Sequence, residues 1–182
     1  LDGNRIPANL IPIKPGDEHP VKPNLFTRAF PTKHNRGSVG YTVIEKRKKL
    51  KEQYLALTGP QIVELKKQGI EIDTKIEIPI VTYLGDTAYV DYTQLDYVAN
   101  SRILITECTF FEEEHIPRAK AGNHMHVNDL VKMVKELNNQ YVIVMHTTQR
   151  TAMHHVYKTL KKLLPEKDCK KVIMLMDKKR CL

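Results

Sequence analysis

Three apolar runs in this chain each lead into a side chain that can bind a metal ion or carry a proton. The runs are 77–84, 102–106 and 141–145, and the side chains that follow them are Asp86, Glu107 and His146. Alternating apolar residues in the first run and continuous ones in the other two indicate strands. In a layered α/β sheet, functional side chains sit on loops at the C-terminal ends of such strands. We therefore expect the three side chains to share one edge of a sheet.

Helical patterns alternate with the strands. Gly59-Pro60 opens a short helix that ends at Gly69, because proline suits the first helical position and glycine the residue past the end. A helix at about Asn128 to Leu137 has its apolar residues on one face. The remaining predicted elements are strands at 39–44 and 172–176 and a helix that Thr147 or Thr148 caps and that ends near Leu164. Strands alternating with helices predict an α/β layered fold.

The first 38 residues differ in composition from the rest. Six of the ten prolines lie within residues 1–31, which excludes a helix there and allows only short or edge strands. The chain also begins at Leu1 without a methionine or a signal peptide. We interpret 1–38 as a connecting region with a first ligand loop, and 39–182 as the regular part of the domain.

Composition excludes a membrane protein and a disulfide-stapled one. No apolar run approaches the roughly 20 residues of a membrane span. Three cysteines are an odd number and share no ligand spacing, which indicates reduced thiols and a cytoplasmic location.

The net charge of +8 comes from clustered basic residues. The densest cluster comprises Lys46, Arg47, Lys48, Lys49 and Lys51, within a basic insertion at about 45–72. Such a cluster is often only a solvated face, and the functional alternative is a polyanion, nucleic acid before membrane.

Histidines supply further candidate ligands. His34 lies in a loop before a strand, and His124 and His126 are two residues apart, a spacing found both at metal sites and at helix starts. Imidazoles and carboxylates together suit zinc, and Asp86 could bridge two ions. A two-metal site clamps the attacking and leaving oxygens of a phosphoryl transfer. With the basic clusters, this pattern favours phosphodiester chemistry on a nucleic acid.

Five motifs follow one another along the chain: Lys33 to Tyr41, Gly85-Asp86-Thr87, Thr106 to Phe110, Asn123 to His126 and Met145 to Arg150. In order and spacing they resemble the motifs of the ribonuclease Z family in the metallo-β-lactamase superfamily. The resemblance implies half of an αββα sandwich, a mixed sheet flanked by helices. It also implies an endonuclease that trims the 3′ end of precursor tRNA with two zinc ions.

The resemblance assigns roles to individual residues. It implies that His34 ligates one zinc, that His146 ligates the other, and that Asp86 bridges both. Glu107 and His124 match a pair that orient each other and protonate the leaving oxygen. If the register slips by two residues, His126 takes the place of His124.

One departure from the family is large. The signature His-x-His-x-Asp-His and the first strands of the sandwich are absent. We therefore interpret the chain as the C-terminal half of a longer protein, with three of the expected ligands, and expect it to be inactive alone. The family's homodimer stays open. The alternatives are a non-catalytic half-domain that binds nucleic acid or pairs with a subunit, and a hydrolase of small phosphodiesters or esters.

Overall fold

One seven-stranded sheet organises the molecule, which we describe from a computed structural model. The structure describes residues 9–148 and 151–175; Gln149, Arg150, Met176 at the end of the last predicted strand, and the basic residues 178–180 lie outside this part. The strands are β1 (Glu18–Lys22), β2 (Leu25–Pro31), β3 (Val39–Leu50), β4 (Asp73–Tyr83), β5 (Ile103–Glu107), β6 (Tyr141–Met145) and β7 (Val172–Met174). They lie side by side in chain order.

The sheet changes character at β4. Strands β1 to β4 pair in antiparallel fashion, whereas β4 to β7 pair in parallel. The helices are α1 (Gly59–Lys67), α2 (Asp96–Ala99), α3 (Ile116–Gly122), α4 (Val127–Glu136), α5 (Met153–Leu163) and α6 (Glu166–Cys169). The parallel strands need crossover connections, and the helices after β4 lie in those connections.

The core lies on one face of the sheet. Leu104, Val142 and Val172 point to this face from neighbouring strands and are buried with Leu130 of α4 and Leu160 of α5. Alternate strand residues point the other way. That opposite face is also apolar but only partly buried, and it carries Tyr41, Val43, Val81, Tyr83, Ile103, Ile105, Ile143 and Ile173.

The proline-rich start of the chain belongs to the same sheet. Strand β1 is one of the two edge strands, and β2 lies between β1 and β3 and pairs with β3 over seven residues. The proline content allowed such strands but did not predict them. The division at residue 38, which rested on that content, therefore falls between two neighbouring strands of one sheet.

Two strands are longer than the sequence indicated. Strand β3 continues through the basic cluster to Leu50, and β4 begins at Asp73 rather than Glu77. Pro79 lies in an interior strand, because β4 is between β3 and β5. The register of β3 and β4 shifts between Val43 and Ile44, opposite Pro79, and such an irregularity tolerates a residue that has no N–H to donate.

Helix α5 begins later than predicted. Its N-cap is Ala152, which makes no capping hydrogen bond, so neither Thr147 nor Thr148 caps it. The predicted helix near 128–137 is present as α4, and the helix opened by Gly59-Pro60 is present as α1. Within the described ranges, no helix is long and apolar enough to cross a membrane.

Candidate metal and catalytic site

Parallel pairing brings the three strand-ending side chains to one edge of the sheet. Strand β5 pairs with β4 on one side and β6 on the other, and Glu107 lies opposite Met145. Asp86 follows β4 after Gly85, whose φ of +68° favours glycine. His146 directly follows β6. The arrangement predicted from the sequence is therefore present.

Asp86, His124 and His146 form a group that could hold a metal ion. One ligand atom from each lies within 4.8 Å of the other two. Ligand atoms around a tetrahedral zinc are about 3.4 Å apart, given bonds of about 2.0–2.1 Å, so movements of about 1 Å would close the group. Two imidazoles and a carboxylate are donors that zinc accepts. The donor set therefore fits zinc, with His124 in the group where the sequence reasoning had placed His34.

Glu107 is fully buried and fully hydrogen-bonded. Its Oε1 accepts from the backbone N–H of Thr87 at 2.8 Å and from Nδ1 of His124 at 2.7 Å. Its Oε2 accepts from the hydroxyl of Thr109 at 2.5 Å and from the backbone N–H of Met125 at 3.2 Å. A buried carboxylate needs such partners, and these four satisfy it without a metal.

The bond to Glu107 fixes the orientation of His124. Because a carboxylate only accepts, Nδ1 of His124 carries the proton and Nε2 is left free. The His124 ring stacks on His146 with centroids 5.3 Å apart and planes 17° apart. The structure thus brings together the predicted pair Glu107 and His124, and it adds His146 as a neighbour.

His34 approaches the same group from the first loop. Its ring centroid is 4.9 Å from that of His124, and its Nδ1–H donates to the carbonyl of Asn123 at 3.2 Å. The amide of Asn123 donates to the His34 carbonyl in return. A ligand histidine commonly donates its second N–H to a carbonyl, which leaves Nε2 of His34 for a metal. The ring atoms of His34 nevertheless lie outside the three-residue group.

His146 has an unusual backbone. Its φ of +53° lies in the left-handed region, which is costly for a residue with a side chain and is found at functional sites. Its Nδ1 is 2.9 Å from the hydroxyl of Thr109 and 3.9 Å from Oδ1 of Asp86. Sequence reasoning did not single out Thr109, although it lies inside a motif quoted above.

His126 has a structural role in this arrangement. It is the N-cap of α4, where Nδ1 accepts from the N–H of Asn128 and Nε2 lies 3.1 Å from the carbonyl of Glu112. Asp129 completes the capping box. Both ring nitrogens of His126 are therefore occupied, and Glu107 contacts His124 instead.

The basic cluster divides into paired and unpaired residues. Lys46 binds Glu18 at 2.6 Å, Arg47 binds Glu45 at 2.7 Å, and Lys51 donates to the carbonyl of Glu71. Within the part of the chain that the structure describes, Lys48 and Lys49 make no ion pair, and both are exposed. Strand register places Lys48 opposite Lys75. Lys48 and Lys49 therefore leave positive charge available to a ligand where β3 ends beside the start of β4.

Cys108, beside Glu107, does not belong to the ligand group. Complete burial raises the pKa of its thiol well above the usual range, and the Glu107 carboxylate adds to the effect. A thiol in this state is a poor ligand and a poor nucleophile.

Comparison with known proteins finds two relatives that are named tRNase Z. It is 30% identical over 169 residues to tRNase Z TRZ1 of Arabidopsis thaliana, covering 91% of this chain and 60% of that protein. It is 32% identical over 174 residues to the chloroplastic tRNase Z TRZ2 of the same plant, covering 93% of this chain and 49% of that protein. The chain is therefore similar to tRNase Z proteins over nearly its whole length. It spans about half the length of the curated relatives it matches, and no family model matches it.

The fold of the chain has close parallels among solved structures. The metallo-β-lactamase fold protein YhfI of Bacillus subtilis superposes with a TM-score of 0.57 at 15% identity, covering 90% of this chain and 51% of that one. The predicted fold class, a mixed sheet with helices in the metallo-β-lactamase fold, is confirmed. The chain supplies part of that fold.

Proposed function

We propose that this chain is the C-terminal half of a zinc-dependent endoribonuclease that processes the 3′ end of precursor tRNA. The observation that carries the proposal is the convergence of Asp86, His124, His146 and Glu107 at one sheet edge, in a chain similar to proteins named tRNase Z. The proposal concerns a whole protein about twice as long as this chain, because the chain spans about half the length of its relatives.

The residues present would supply part of a two-zinc site. His34 would ligate one ion and His146 the other, with Asp86 bridging both, while the portion of the relatives that this chain does not span would supply the rest. Zinc, when bound, acts as a Lewis acid and lowers the pKa of a bound water. The donor chemistry of Asp86 and His146, and the free Nε2 of His34, support this assignment.

Glu107 and His124 would handle the proton at the leaving oxygen. The carboxylate of Glu107 holds Nδ1–H of His124, so the ring can turn only its Nε2 toward a substrate. A histidine in contact with a carboxylate can carry a proton near neutral pH and give it to a leaving group. The side chain of Glu107 is fully shielded from water, which keeps this pair in one arrangement.

The partly exposed apolar face of the sheet supports the idea of a missing half. Apolar patches of this kind mark interaction surfaces, and the other layer of a sandwich would cover it. A cytoplasmic location and a homodimer are further parts of the proposal, although one relative is named chloroplastic and another, from Triticum aestivum, is a nuclear ribonuclease Z.

Cleavage by the complete protein tests the reaction and the substrate class together. Precursor tRNA should be cut at its 3′ end, a chelator should abolish cleavage, and added zinc should restore it. A small phosphodiester should be cut far less efficiently, because binding energy from the RNA contributes to the rate. Equal efficiency on both substrates would favour the small-molecule hydrolase, and no cleavage of either would favour a non-catalytic half-domain.

The unpaired lysines test RNA binding. Replacing Lys48 and Lys49 by alanine should weaken binding of precursor tRNA and reduce the salt slope by about 1 for each RNA phosphate that is no longer bound. Cleavage of the small phosphodiester should not change. The control is Lys46→Ala, because Lys46 already pairs with Glu18 and Glu77. An equal decrease with both substrates would show that Lys48 and Lys49 are structural.

A further inference from the structure

One buried carboxylate serves two imidazoles of the candidate site. Glu107 reaches His124 directly through Oε1, and its Oε2 contacts the hydroxyl of Thr109, which in turn contacts Nδ1 of His146. Thr109 is 8% exposed and the Glu107 side chain is fully buried, so the hydrogen bond between these two residues is shielded from water. The residues His124, Glu107, Thr109 and His146 form a continuous hydrogen-bonded chain.

The hydroxyl of Thr109 has a single proton, and the geometry decides where it goes. An O···O distance of 2.5 Å to Glu107 requires a proton between the two oxygens. The carboxylate of Glu107 accepts from two backbone N–H groups and an imidazole, so the hydroxyl is the donor. The His146 carbonyl, at 3.1 Å from the same hydroxyl, is a neutral and more distant acceptor.

The contact between Thr109 and Nδ1 of His146 then has only one assignment. The Thr109 hydroxyl uses its proton in the hydrogen bond to Glu107, so it can only accept from Nδ1–H of His146 at 2.9 Å. Nδ1 of His146 therefore carries the proton, and Nε2 keeps its lone pair. A backbone hydrogen bond also joins the two segments, because the N–H of Thr148 donates to the Thr109 carbonyl at 3.1 Å.

From this geometry we propose that Thr109 is a positioning residue that sets the tautomer and orientation of His146. It transmits the charge of Glu107 to a second histidine, so that Nε2 of His146 is left for a metal ion, as Nε2 of His124 is left to carry a proton. The inference rests on the proposed function only for its consequence in catalysis. The tautomer itself is a property of the chain.

The proposed role requires a side chain with a hydroxyl group at position 109. Thr109→Val keeps the shape but removes the hydroxyl that bonds Glu107 and His146, whereas Thr109→Ser retains the hydroxyl. The matched control is Thr106→Val in β5, just before Thr109. The Thr106 hydroxyl is also buried, and among the described residues it bonds only the Glu107 carbonyl and the sulfur of Met125. Loss of a partner that orients a metal ligand typically costs 10- to 100-fold in metal affinity.

Nitrogen-15 NMR of the 182-residue chain tests the proposal without metal or substrate. At about pH 8.5, where an ordinary imidazole is neutral, we expect His146 to show a single Nδ1–H tautomer. Thr109→Val should convert it to a mixture or to the Nε2–H form. Thr109→Ser and Thr106→Val should resemble the unmodified chain. Competition with a chromophoric chelator should show zinc affinity falling 10- to 100-fold for Thr109→Val and less than 3-fold for the other two.

An Nε2–H tautomer in the unmodified chain would overturn the proposal, and this measurement needs no variant to fold. An unchanged tautomer or zinc affinity in Thr109→Val would overturn it too. These readouts are separate from the proposed function: RNA cleavage can fail while the tautomer responds to Thr109, and cleavage can succeed while it does not.

Discussion

Glu107 is a charge without water contact at the edge of an otherwise solvated site. Such a charge is costly unless its lone pairs are used, and here four donors use them. One of those donors is the imidazole of His124, and another is the Thr109 hydroxyl, which also contacts the imidazole of His146. The chemistry of the site therefore depends on which of His124 and His146 binds the metal ion and which carries the proton.

Paired asparagine variants separate a metal ligand from a proton donor. His146→Asn should weaken zinc binding by at least about 10-fold, because a ligand is removed. His124→Asn should leave zinc binding nearly unchanged and lower the rate of RNA cleavage by the complete protein by about 10²- to 10⁴-fold. Chelator competition and single-turnover cleavage measure the two effects. If His124→Asn weakens zinc binding as much as His146→Asn does, His124 is a ligand.

Sequence reasoning can find the residues at strand ends but not the contacts between them. Asp86, Glu107 and His146 follow apolar runs that are visible locally. Thr109 and His146 are 37 residues apart, and only the parallel register of β5 and β6 brings them together. The capping role of His126 was equally open, because a helix start and a metal site can share its spacing.

Ion pairs attach the edge strand β1 to the rest of the sheet. Glu18 of β1 binds Lys46 of β3 and Arg28 of β2, and Arg28 also binds Glu77 of β4. The hydrogen bond from Lys46 lowers the pKa of the Glu18 carboxyl. Partial burial opposes this effect, and Arg28 adds to it. These ion pairs also explain how β3, which is rich in lysine and arginine, continues as far as Leu50.

This pKa shift predicts how the contribution of β1 to stability depends on pH. A carboxyl group with a lowered pKa stabilises the fold above its usual value of about 4.3, and that contribution disappears as the pH falls through the lower folded value. Glu18→Gln should therefore reduce the free energy of unfolding by about 1 kcal/mol at pH 7 and by nothing at strongly acid pH. Urea unfolding across this range measures it.

The control for this measurement is Glu71→Gln, because Glu71 is 80% exposed and 4.0 Å from Lys51. We expect no pH-dependent difference for this variant. A difference for Glu18→Gln that persists with the same size into strong acid would contradict the electrostatic explanation.

At the scale of the whole molecule, the sheet is covered on one face only. Helices α4 and α5 bury one set of strand residues, while Ile105, Ile143 and their neighbours stay partly exposed. The sequence predicts both sets as apolar but cannot tell which face is covered, because continuous apolar runs suit strands buried on both sides. The order of the sheet likewise depends on contacts between distant strands.

The partly exposed face predicts self-association of the 182-residue chain. Sedimentation should show reversible association that rises with concentration. Replacing Ile105 and Ile143 by threonine should weaken it about 10-fold, because threonine keeps the strand preference and has less apolar area. Val21→Thr is the control, since Val21 is a 52% exposed residue on the edge strand. A chain that stays monomeric at all concentrations would contradict this prediction.

Asp86 would anchor the metal site of the proposed ribonuclease, and one pair of variants tests this role. In the complete protein, Asp86→Ala should reduce cleavage of precursor tRNA by about 10³-fold or more, since metal ions contribute several kcal/mol to such reactions. Asp91→Ala is the matched control, because the carboxylate of Asp91 only bonds Thr93 in an exposed loop. Near-normal cleavage by Asp91→Ala with loss of cleavage in Asp86→Ala is the predicted result. Cleavage that survives Asp86→Ala would contradict the account.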